Sequence, residues 1–145
     1  MELLKVGGVV PIFGLPDAQP GRRVEYGSFL RKCRIIILLP NDVGREWFAG
    51  AVKQAREFAE RDLNVLAIAP TEEKPGNLPP DFHILRDENG AVTERLGGAP
   101  AFYLVGKDTG IKSASRTFPS PAELFRTIDA MPMRAQEMRE RARAK

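Results

Sequence analysis

The chain has 145 residues, 43% of them hydrophobic and 28% charged, with a net charge of +3. That length suits one domain, which buries roughly 68–70% of the surface its unfolded chain exposes, and the small net charge gives no polyelectrolyte signal. A single cysteine, Cys33, excludes an intramolecular disulfide, and one histidine beside it argues against a Cys/His zinc site. No stretch approaches the ~20 apolar residues of a membrane span and no leader-like apolar run opens the chain. A cytoplasmic protein with no membrane contact, no metal and no cofactor is therefore expected.

In chain order, residues 1–32 read as an extended N-terminal region. Two short extended pieces, 9–13 and 23–26, flank the turn-rich stretch 16–21 as a loose hairpin. The apolar run 34–39 ends at Pro40 and suits a strand buried on both faces. Asn41 and Asp42 are good caps for a helix over 43–61, whose Trp47, Phe48, Ala51, Val52, Ala55, Phe58 and Ala59 share one side. Residues 63–69 form a second buried strand, so strand, helix and strand make a right-handed parallel crossover.

Residues 70–82, rich in proline, read as a loop. A short extended piece follows at 84–87, then a turn at Glu88-Asn89-Gly90 and a short helix over 92–96, which Gly97-Gly98 breaks. Strands are predicted at 101–105 and 111–117, joined by the hairpin turn Lys107-Asp108-Thr109-Gly110. Ser120 caps the next helix, with Pro121 at its first position and Glu123 completing a capping box. Pro132 interrupts it, and a charged helix or tail spans 133–145.

Two parallel strands around a helix, then a hairpin opened by Pro100, then a helix, resemble the thioredoxin arrangement. Residues 6–15, Phe29-Leu30, the strand at 34–39, Ile84 to Gly90 and Leu96 to Phe102 resemble the peroxiredoxin and alkyl hydroperoxide reductase branch of that superfamily. The resemblance implies an α/β fold, a central mixed sheet of four to five strands flanked by helices over residues 1–145, and a cis peptide before Pro100. The C-terminal third, 105–134, is similar to a domain family of unassigned function, found in small bacterial proteins and in sushi-repeat extracellular proteins.

Thioredoxins and peroxiredoxins carry the attacking thiol just after the first central strand. There a helix N-terminus offers free N–H groups and a positive dipole end that stabilise a thiolate. Here that segment is Pro40-Asn41-Asp42-Val43-Gly44-Arg45-Glu46-Trp47, with no cysteine, serine or threonine. The arginine that helps peroxiredoxins hold peroxide has no match before Phe102. Cys33 lies before the strand whose far end carries the site, about 20 Å away at ~3.3 Å per residue. It reads as a packing or strand-edge residue, with a redox-responsive thiol flanked by Lys32 and Arg34 as the alternative.

The remaining candidates divide similarly. His83 is a strand-edge histidine or a catalytic base. Trp47 and Phe48 are core residues or part of an exposed binding surface. The tail carries an excess of three positive charges without interleaved aromatics, so it reads as a solvated helix. The expected function is that of a non-catalytic thioredoxin-like domain binding an unknown protein partner, with a homodimer also considered. Its binding residues are expected to be Asn41, Asp42, Arg45, Glu46, Trp47, Ala99 and Pro100, in a groove suited to an extended peptide. The alternatives are a peroxiredoxin-like redox protein acting through Cys33, and nucleic acid or acidic-partner binding through the tail, the nucleic acid reading being the less expected.

Overall fold

The computed structural model describes residues 2–19, 21–69 and 77–144. The elements are β1 (Gly14–Pro16), β2 (Arg23–Glu25), a 3-10 turn (Tyr26–Phe29), β3 (Arg34–Leu39), α1 (Asp42–Val52), α2 (Ala55–Glu60), β4 (Leu63–Ala69), β5 (Phe82–Arg86), α3 (Ala91–Arg95), β6 (Ala101–Val105), β7 (Ile111–Ser115), α4 (Pro121–Asp129) and α5 (Pro132–Ala144). A five-stranded sheet runs β5-β4-β3-β6-β7. β3, β4 and β5 are parallel, while β6 and β7 are antiparallel to their neighbours.

The apolar run of β3 forms the centre of the sheet because both of its faces are buried. Ile35, Ile37 and Leu39 join one hydrophobic layer with Phe13, Tyr26, Leu66, Ile68 and Tyr103. Ile36 and Leu38 join the other with Phe48, Phe58, Phe82, Phe102, Leu124 and Ile128. The mixed sheet of thioredoxin-like type is thus as the sequence reading expected.

The predicted helix over 43–61 is two helices, α1 and α2, separated at Lys53 and Gln54. In one continuous helix ten residues turn through ~1000°, leaving Phe58 about 80° away from Phe48. The break lets both rings meet Phe82, at 5.7 and 5.4 Å between centroids. The same contacts pull Phe82 into β5, which begins two residues before the expected extended piece. Residues 70–76 of the predicted loop lie outside the described residues, as do Pro20 of the N-terminal turn and Lys145 of the tail.

The N-terminal hairpin exists, but its first strand is Gly14–Pro16 rather than residues 9–13. Residues 7–9 instead run beside the start of β7, where the Gly7 N–H donates to Ile111 and the Ile111 N–H to Gly8. The pull is again apolar, since Val10 and Phe13 are buried in the core. Ser120 caps α4 as expected, accepting from the Glu123 N–H at 3.3 Å, and Pro132 opens α5.

Candidate functional site

The parallel strands β3, β4 and β5 all end on one side of the sheet, where open α/β sheets place ligands. A cavity of about 400 Å³ lies there. It is lined by Pro40 and Ile68, by Arg45 of α1, by Gly90, Thr93 and Glu94 of the α3 region, and by Gly98 and Ala99. The bond between Ala99 and Pro100 is cis.

The loop before Pro100 is held from both directions. Gly97 and Gly98 have φ of 97° and 80°, and a Cβ on Gly97 would meet the Glu2 carbonyl oxygen at 2.7 Å and the Tyr103 hydroxyl at 2.9 Å. Only glycine fits that approach. Arg116 donates to the carbonyls of Gly98 and Pro100 at 2.8 and 3.1 Å. No backbone hydrogen bond engages the exposed Ala99 between them, among the described residues.

The N-terminus of α1 is occupied by its own cap. The Asn41 side chain accepts from the Gly44 N–H at 3.0 Å, and the Asn41 carbonyl accepts from the Arg45 N–H at 3.0 Å. Phe118 fills the space beside Gly44, where a Cβ would lie 2.7 Å from its ring. The Asn41 cap therefore takes the Gly44 N–H, one of the free donors that such a helix start offers.

Of the predicted binding residues, Arg45 and Ala99 line the cavity, with Pro100 next to it in the chain. Asn41 is a cap. Asp42 is exposed and pairs with Arg45 at 3.0 Å, and Glu46 is exposed outside the cavity lining. Trp47 turns into the core: it meets Phe58 and Phe102 edge-on and donates through Nε1 to the Pro119 carbonyl. Sequence reasoning missed Thr93, Glu94 and the clamp Arg116. The signal for the first two was the position of α3 just beyond the end of β5.

Cys33 stands at the opposite end of β3, 8% exposed, with its Sγ 3.6 Å from the Phe29 carbonyl oxygen. Burial pushes its thiol above the ordinary value, and the nearby Asp81 and Asp62 add to this. The structure brings the one histidine to the same end. His83 Nε2 lies 3.4 Å from Asn64 Oδ1, and Asn64 partly offsets the upward shift of the Cys33 thiol. Burial lowers the His83 pKa, against the pull of Asp17 3.9 Å away. A neutral imidazole and a protonated thiol are a poor nucleophile pair.

In the tail, Arg134 and Arg141 are engaged by Asp129, Glu60 and Asp62. No group of histidine, cysteine and carboxylates among the described residues could hold a metal ion, and no described helix is long and apolar enough to cross a membrane.

The sheet order, the crossover through α1 and α2, and the cis proline before β6 define a thioredoxin-like fold of the peroxiredoxin type, with no thiol at the head of α1. Residues 27–137 match the family described as a domain of unknown function, DUF4174, and the chain belongs to that family. Among solved structures, the chain is similar to the reduced 2-Cys peroxiredoxin of Plasmodium vivax, at 17% identity and a TM-score of 0.71, over 90% of this chain and 98% of that one. It is similar to AhpC of Mycobacterium bovis at 20% identity and 0.70, over 90% and 98%. It is also similar to a yeast mitochondrial 1-Cys peroxiredoxin at 13% identity and 0.74, over 92% and 79%. At these identities the likeness is one of fold. No curated protein sequence matches the chain.

Proposed function

We propose that this protein is a non-catalytic member of the thioredoxin-like superfamily that binds an extended segment of a protein partner beside Pro100. The observation that carries this reading is the pairing of a formed cavity with a helix start that carries no thiol. The cavity of about 400 Å³ sits at the fold's ligand end, while the α1 N-terminus that would activate a thiol is capped by Asn41. The Ala99 backbone, with no backbone partner among the described residues, offers an extended chain a place to add hydrogen bonds, and Arg45 and Glu94 bring charges of both signs to the lining. A cytoplasmic location and a homodimer belong to the same proposal.

The test is selection of peptides from a random library, followed by titration of the best binder into isotope-labelled protein. The reading expects amide shifts centred on Arg45, Thr93, Gly98 and Ala99, and weaker binding by Arg45→Ala at unchanged stability. Failure to select any peptide, or shifts centred elsewhere, contradicts it.

A further inference from the structure

A second cavity, of about 300 Å³, lies at the other end of the sheet. It is enclosed by the N-terminal segment, the residues that follow the 3-10 turn, and Thr109 of the β6–β7 hairpin. We propose that it binds a small amphipathic carboxylate, with the apolar body against Val9, Val10, Ile12 and Leu30 and the carboxylate on Arg31.

Three observations meet here. Val9 and Ile12 are 67% and 60% exposed, and with the neighbouring Val6 at 62% they gather much of the molecule's exposed large apolar surface into one short segment. A patch of that kind over a cavity marks a binding surface. Arg31 is the one charged residue of the lining. It is exposed and has no ion pair among the described residues. A guanidinium at an apolar mouth selects a planar monoanion, which it meets with two parallel hydrogen bonds.

Tyr26 is also part of the lining. It is fully buried, stacks on Phe13 at 5.1 Å, and its hydroxyl has no hydrogen-bond partner among the described residues. Buried hydroxyls are normally satisfied, and this one is closed off from the cavity it stands behind, so it takes no part in holding the ligand. Burial, with the nearby Cys33, pushes its pKa up to about 12, so the group stays uncharged at any ordinary pH and sets no negative charge behind the carboxylate site. Lastly, of the non-glycine residues with positive φ, Arg31 at 68° and Thr109 at 75° both line this cavity. Such conformations gather where a loop clamps a ligand.

The test is titration of octanoate, and of 1-octanol as its uncharged counterpart, into isotope-labelled wild type, Arg31→Gln and Tyr26→Phe. Octanoate is expected to give saturable shifts at Val9, Val10, Ile12 and Thr109, and to bind about tenfold tighter than octanol. Arg31→Gln, an exposed substitution that leaves the fold intact, should lose that tenfold for octanoate and leave octanol unchanged. Tyr26→Phe, which removes a sealed hydroxyl, should leave octanoate binding and its preference over octanol unchanged. No saturable shift at these residues, equal affinity for acid and alcohol in the wild type, or unchanged octanoate binding in Arg31→Gln overturns the proposal.

Discussion

The Glu137 carboxylate meets the Arg34 guanidinium through two hydrogen bonds of 3.1 Å, joining α5 to the first residue of the central strand. Lys107 reaches the same carboxylate at 2.7 Å. α5 has no apolar stripe. It docks through Arg134, Glu137 and Arg141, three positions on one side of the helix, each held by ion pairs. Arg34 is 1% exposed, so loss of its partner strands a buried charge. Glu137→Gln should lower unfolding stability by about 3 kcal/mol, as for breaking a buried pair. Glu140→Gln on the outer face should stay within about 0.5 kcal/mol. Urea denaturation of both variants checks the contrast.

The same cluster sets an acid limit. Burial pushes the Asp129 and Glu137 carboxyls up. Arg61 and Arg134 around the first, and Arg34 and Lys107 around the second, outweigh this and hold them below their ordinary values of 3.8 and 4.5. The unfolded chain therefore binds these protons more readily. The stability they supply is full above the ordinary values and is lost as pH falls through the depressed folded ones. Amide exchange followed at decreasing pH should show α5 losing protection before β3 and β4.

Cys33 is predicted to be unreactive in the native state. Its thiol is buried and its pKa is raised, so the thiolate is scarce at neutral pH. An aromatic disulfide reagent should label it slowly in buffer and rapidly in denaturant. Fast native labelling would contradict the geometry around Phe29 and Asn64.

Tyr26 predicts an alkaline limit. Its folded pKa of about 12 lies above the ordinary 10.0, so its contribution to stability is full below the ordinary value and is lost as pH rises through the folded one. Melting curves across that range should fall in the wild type. The fall should be reduced in Tyr26→Phe.

Much of the fold was legible because local signals and tertiary packing agreed. The β-branched run of β3, the Ser120 cap and the Gly97-Gly98-Ala99-Pro100 loop each have a local cause that the structure keeps. The errors fall where a distant partner decides. Phe82 and Phe58 are drawn together across the sheet, which splits the predicted helix and extends β5. For Trp47 the sequence left a core and a surface reading open, and it is the distant Phe102 and Pro119 carbonyl that its ring meets. Arg116 lies sixteen residues after the proline whose carbonyl it holds, and no spacing rule links them. Cys33 and His83 were weighed apart; the parallel register of β3, β4 and β5 is what brings their ends of the sheet together.

The measurement that bears most directly on the account is turnover of hydrogen peroxide and of a model disulfide, with a supplied thiol reductant, by the wild type and by Cys33→Ser. The account predicts no turnover above background in either protein, because α1 carries no thiol at its capped N-terminus and Cys33 is buried at the far end of β3. Turnover in the wild type that disappears in Cys33→Ser would contradict it and make the buried thiol the reaction centre.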